Sequence, residues 1–147
     1  MKKRIVTVTA MLLAAACIVC LWGCAAGSPE LLDEKVGAMI DADAARDAER
    51  SFSMIYPGAA DRETYDAAAE AIFGYFPVTA DYSAERQQWN VSKGLFGGSE
   101  VYNGQYRVEF GERVFYIYAV WRSDKNGSGF TQFQIVSEED MLAAQST

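Results

Sequence analysis

The side chains able to do covalent or proton-transfer chemistry in this 147-residue chain are few and unevenly placed. There is no histidine, so imidazole acid–base catalysis, Ser-His-Asp triads and histidine metal ligation are ruled out. The three cysteines, Cys17, Cys20 and Cys24, all lie within the first 24 residues. Beyond Cys24 there can be no thiol nucleophile, no cysteine–zinc site and no internal disulfide. The remaining candidates are carboxylates and tyrosines. Asp81 and Glu85 stand where a helix-rich half gives way to a strand-rich half. Glu63, Asp66 and Glu70 form a row at helical spacing, a pattern that belongs to an ordinary solvent face more readily than to a metal site.

The cysteine with the most specific context is Cys24. Lys2, Lys3 and Arg4 precede an apolar run from Ile5 to Trp22, the arrangement of an export signal. The run ends in Leu21-Trp22-Gly23-Cys24, which resembles a bacterial lipobox, with Leu at −3 and a small residue at −1. Trp22 at −2 departs from the small residue usual there. Cys17 and Cys20 fit less well, because Ala14 and Cys17 occupy their −3 positions. Residues 1–23 are therefore expected to be a lipoprotein signal peptide, and Cys24 the lipidated N-terminus of an extracytoplasmic, membrane-anchored domain. A run of about 18 apolar residues can also just span a bilayer, so an uncleaved signal anchor is the competing reading, with plain secretion behind it.

All 20 acidic residues but only 10 of the 13 basic ones follow Cys24, leaving ten uncompensated negative charges. Such a surface excludes nucleic acid, which is met by basic patches, and adhesion to anionic lipid by charge. Contact with a membrane would depend on the anchor. No cofactor and no metal are implied.

After a tether over 24–30, Ser28-Pro29 is a helix start, with Ser as N-cap and Pro at the first turn. Leu32, Val36, Met39, Ile40, Phe52 and Ile55 recur at helical spacing as far as Pro57. Asp61 is the next N-cap, opening an amphipathic helix whose apolar face carries Tyr65, Ala68, Ala69, Ile72, Phe73 and Phe76. From Glu85 the period changes to two. Strands are expected around Trp89, across Glu100–Phe110, across Arg113–Arg122 and across Phe130–Val136. A bend, bulge or turn is expected at Asn103-Gly104, a loop over Asp124–Gly129, and a polar tail over 138–147. Gly111-Glu112 has the form of a type II′ hairpin turn. Pairing Phe110 with Arg113 sets Val108 opposite Phe115, Tyr106 opposite Ile117, and Tyr102 opposite Trp121 if no bulge intervenes. Paired residues share a face. Tyr106, Val108, Phe115, Ile117, Ala119 and Trp121 then form an uncharged face suited to covering helices. Arg107, Val114, Tyr116, Tyr118 and Val120 line the other.

The resulting fold class is α+β, with N-terminal helices packed on a four-stranded antiparallel meander over 31–137. The segments Tyr106-Arg107-Val108-Glu109-Phe110-Gly111-Glu112, Val114-Phe115-Tyr116-Ile117 and Gly129-Phe130-Thr131-Gln132-Phe133-Gln134-Ile135 resemble the strand–turn–strand endings of NTF2-like, cystatin-like proteins, in particular small bacterial lipoproteins of that superfamily. The resemblance implies a curved sheet wrapped on helices, often with a conical cavity, and dimers formed through the exposed sheet face. Enzymes of the superfamily place an Asp or His in the cavity, often beside a Tyr. Here there is no His, and the expected inward sheet face has no carboxylate.

A non-catalytic binding domain is therefore the leading reading. Arg107, Val114, Tyr116, Tyr118 and Val120 are its expected interface to a protein partner or a second copy, since Tyr and Arg favour interface centres. The alternative is a cavity lined by Trp89, Tyr106, Trp121 and Phe133 that takes a small apolar ligand. A His-independent isomerase- or cyclase-like enzyme comes last.

Overall fold

The computed structural model describes residues 27–77, 81–95 and 97–146. Cys24 and the expected signal peptide lie outside these residues. No helix among the described residues is long and apolar enough to cross a membrane.

Helix α1 spans Pro29–Ala44, with Pro at its first turn and Ser28 in extended backbone before it. It therefore begins inside the expected tether. The apolar spacing suggested one helix as far as Pro57, but the chain turns at Ala45-Arg46-Asp47 and resumes as α2, Ala48–Ser53. The break is a Schellman turn. Arg46 N–H donates to Asp43 O (3.0 Å) and Asp47 N–H to Ala42 O (2.9 Å). Arg46 holds the left-handed position, φ 56°, where glycine is usual. Its guanidinium bonds to Ala44 O and Phe76 O, which helps hold that backbone in place. Asp47 then caps α2 by accepting from Arg50 N–H at 3.0 Å.

Asp61 caps α3, Arg62–Phe73, accepting from Thr64 N–H at 2.7 Å, as its sequence position implies. Tyr65, Ala69 and Phe73 are buried, whereas Ala68, expected on the same face, is exposed.

Four strands, β1 (Ser83–Lys93), β2 (Ser99–Phe110), β3 (Arg113–Asp124) and β4 (Gly127–Ser137), form an antiparallel meander in the order β1-β2-β3-β4. The expected β2–β3 register holds throughout, from Phe110 opposite Arg113 to Tyr102 opposite Trp121. At the connecting turn Gly111 has φ 59° while Glu112 stays at negative φ, as type II′ requires. No bulge interrupts Asn103-Gly104. Its glycine answers to packing instead, since a Cβ there would lie 2.6 Å from Leu32 Cδ2 of α1. The irregularities fall at Arg86/Gln88 and at Val120/Trp121. The expected loop at Asp124–Gly129 shortens to a turn at Lys125-Asn126, because β3 and β4 keep pairing up to Asp124 and Gly127.

Tyr106, Val108, Phe115, Ile117, Ala119 and Trp121 are all buried against the helices, principally Leu32, Val36 and Ile40 of α1. Burial of the larger of these side chains contributes about 1.5–3 kcal/mol each and is the main source of stability. Residues 54–56 run beside β4, with Phe130 N–H donating to Met54 O (2.8 Å) and Tyr56 N–H to Phe130 O (3.0 Å). The tail is not irregular. Ser137 caps a helix, α4 (Glu138–Gln145), which packs back over β3 and β4.

Candidate functional site

Three regions combine space with polar side chains. The first is the sheet face away from α1–α3. Pairing builds two rows across all four strands, Gln88–Gln105–Tyr118–Gln134 and Asn90–Asn103–Val120–Gln132. All of these but Gln134 line a hollow of about 280 Å³ on which, among the described residues, no carboxylate, lysine or arginine opens. Asn103 Nδ2 donates to Asn90 Oδ1 at 2.9 Å, so two of the amides are already aligned across the strands. The next row is Glu85–Arg107–Tyr116–Val136. Arg107 is ion-paired with Glu109 along its own strand. The expected interface residues Arg107, Val114, Tyr116, Tyr118 and Val120 are thus brought onto one half-buried face. Helix α4 covers part of it, and Tyr118 Oη donates to Met141 Sδ at 3.4 Å.

The second region is a cleft of about 470 Å³ between α1 and the β1–β2 end of the sheet. Asp33 of α1 lies between two sheet residues. Tyr106 Oη donates to its Oδ1 at 2.8 Å, and Arg86 Nη1 pairs with its Oδ2. Burial, and then the bond to Asp33, push the Tyr106 phenol far above its ordinary value. Tyr82 closes one side, with its hydroxyl on Asp41 Oδ1 (3.0 Å) and Gly37 O (3.3 Å), and burial followed by Asp41 raises it to about 12. Glu85 lines the cleft, and Asp81 is exposed just before β1. Every polar group at the centre of this cleft has a partner within it.

The third region was not anticipated from sequence. Near the C-terminal end of α1, Asp43 is 1% exposed and Ser51 of α2 fully buried. Ser51 Oγ donates to Asp43 Oδ1 at 2.6 Å. Among the described residues no arginine or lysine reaches this carboxylate, and burial raises its pKa to about 6, with the Ser51 bond opposing the shift. Beside it Tyr65 of α3 is 7% exposed, and its hydroxyl is buried without a hydrogen-bond partner. Asp43 and Tyr65 line a cavity of about 130 Å³, otherwise walled chiefly by Met39, Ile55, Ile72, Phe130 and Phe133, with exposed Ala59 and Gln132 among its lining.

The four residues expected to share an apolar pocket lie on the helix-side face but do not converge. Trp89 is on the edge strand, 39% exposed. Tyr106 belongs to the Asp33 cleft and Phe133 to the Asp43 cavity. Trp121 packs edge-on to Phe130, with Lys35 Nζ 5.6 Å from its ring. The acidic row of α3 is exposed, and its Asp66 pairs with Arg62 at 2.8 Å. Among the described residues no three Asp or Glu side chains converge as a metal site.

The hydrogen-bonded carboxylates of both inner sites, Asp33, Asp41 and Asp43, come from α1, which is why a reading of the strands alone missed them. A usable signal was present: Asp33 and Asp43 interrupt an otherwise apolar helix face, flanked by Leu32 and Ala42, which are both fully buried. The class thus defined is an α+β domain with an open four-stranded antiparallel sheet, helices on one face and a short helix on the other. The chain matches no family model, no curated protein and no solved structure.

Proposed function

We propose that this chain is a lipid-anchored, extracytoplasmic, non-catalytic binding domain of NTF2-like (cystatin-like) architecture, and that it recognises a protein partner through the outer sheet face. The observation that carries this reading is the uncharged amide-lined hollow spanning all four strands, continuous with Tyr116, Tyr118 and Arg107. On a surface otherwise strongly acidic, a neutral field of paired donors and acceptors fits the polar edges of another polypeptide. Tyrosines beside it supply rigid apolar area. The segment around Cys24 supports the anchor, and the acidic balance makes that anchor the main hold on a membrane.

Two experiments test this. Cys24→Ala is expected to abolish palmitate incorporation; continued labelling would contradict the anchor. A photo-crosslinker placed at Gln105 or Val120 of the lipidated protein in its own envelope is expected to give a discrete adduct that is absent when it is placed at Glu70 of α3. Adducts of equal yield from both faces, or from neither, would contradict the sheet-face reading. An adduct of twice the chain's own mass would identify the partner as a second copy.

A further inference from the structure

The Asp43 cavity has a chemistry that the binding surface outside does not use. A carboxylate in an apolar interior is ordinarily paired with a cation or held by several donors. Asp43 has one neutral donor, Ser51. Its neighbour Tyr65 carries a buried hydroxyl that makes no well-formed hydrogen bond, the Ser51 hydroxyl being the one side chain that bears on it as a bonding partner, and such a group costs about 1–3 kcal/mol if left alone. Two under-satisfied polar groups share one wall of a space of about 130 Å³, and aliphatic and aromatic side chains form most of the rest. The Arg62 guanidinium, which acts on Tyr65, lies outside the cavity lining, paired to Asp66 and Glu49 and seated on the Phe52 ring.

We propose that this cavity is a binding site for a small primary alkylammonium ion, its nitrogen donating to Asp43 and to Tyr65 Oη and its short apolar tail lying against Met39, Ile72 and Phe130. A cation supplies the missing charge partner, and its several N–H donors can serve both oxygens at once. The aromatic rings of Phe130 and Phe133 are compatible with a positive head. The volume fits a molecule of about five or six heavy atoms, on the scale at which apolar cavities admit small organic guests. The proposal does not depend on the outer-face reading.

Its signature is a dependence on pH with a definite sign. The titratable group facing Asp43 is Tyr65 from α3; Ser51 from α2 and Thr131, Gln132 and Phe133 from β4 carry no charge. Asp66 and Arg62 act on Tyr65 from outside the cavity. Ammonium binding requires the ionised carboxylate, so affinity rises as pH passes through the Asp43 pKa and then levels off.

The test is calorimetric or NMR titration of the full chain in detergent with n-butylammonium, n-butanol and butyrate at pH 5 and pH 7. Butylammonium is expected to bind best and about tenfold more tightly at pH 7 than at pH 5. Asp43→Asn, which keeps an acceptor for Ser51, is expected to abolish that binding. Tyr65→Phe is expected to weaken it severalfold while leaving the pH dependence in place. Glu112→Gln at the exposed β2–β3 turn should leave it unchanged. Butanol binding equally at both pH values and as well as the amine would show a merely apolar hole and overturn the proposal. Butyrate binding that strengthens at pH 5, or saturation by none of the three, would overturn it as well.

Discussion

Helix α1 sets three aspartates beside tyrosines, and two of these pairs, Asp33–Tyr106 and Asp43–Tyr65, differ most in how completely they are satisfied. At Asp33 the carboxylate takes the Tyr106 hydroxyl on one oxygen and the Arg86 guanidinium on the other, tying α1 to β1 and β2. At Asp43 the carboxylate has Ser51 alone, and the Tyr65 hydroxyl, with the same Ser51 beside it, makes no well-formed hydrogen bond. Both acids come from one helix, and both tyrosines are buried. A closed hydrogen-bond set of the first kind positions elements. The second kind leaves unpaired polar atoms beside open space, which is where a ligand has something to gain.

The difference can be broken most strongly at Asp43. Its pKa is raised on folding, so the folded state holds more protons than the unfolded state between the ordinary value of 3.8 and about 6. Stability should fall as pH rises through that window and then level off. Asp43→Asn is expected to flatten this fall and to stabilise the domain at pH 7 by about 2–3 kcal/mol, measured by denaturant unfolding. An unchanged profile would mean that burial is not charging the folded state with this penalty.

Asp33→Ala should act in the opposite direction. It leaves the Tyr106 hydroxyl buried and unpaired, a loss of about 1–3 kcal/mol. The half-exposed ion pair with Arg86 adds less than about 1 kcal/mol. A smaller contrast comes from removing the hydroxyls themselves. Tyr106→Phe should cost about 1 kcal/mol, whereas Tyr65→Phe in the unliganded protein should be neutral or slightly stabilising. Equal losses in the two tyrosine variants, read from paired unfolding curves, would erase the distinction. The smallest effect is expected at Arg86→Lys, which keeps the charge but loses the planar guanidinium, at less than about 1 kcal/mol.

Much of the sheet was legible in the sequence. A glycine-led turn between two alternating runs fixes pairing residue by residue, so Phe110 opposite Arg113 carried the β2–β3 register to its far end. The outer stripe followed from the same parity. The helical half was less legible, because its decisive events break local rules. Arginine replaces glycine in the Schellman turn at position 46, and nothing in the apolar spacing marks the helix as ending there. That turn sets Ser51 against Asp43, a contact between residues of separate helices that no periodicity encodes. Helix α4 was read as a polar tail because its charged and small residues offer no clear apolar face. It is placed by the Ser137 cap and by Met141 lying on Tyr118. The Arg86/Gln88 irregularity likewise breaks the simple alternation of β1: Arg86, opposite Tyr106, falls on the side that meets Asp33.

The central claim is that Asp43 is a buried carboxylate without a charge partner in the free protein. Carboxyl-carbon NMR titration of aspartate-labelled protein measures this directly. The Asp43 resonance is expected to titrate near pH 6 in the free protein, and Tyr65→Phe is expected to leave that midpoint close to where it was, because burial is the principal cause. Addition of butylammonium should move it downward. A resonance that titrates at the ordinary aspartate value of 3.8 and ignores the amine would contradict the account.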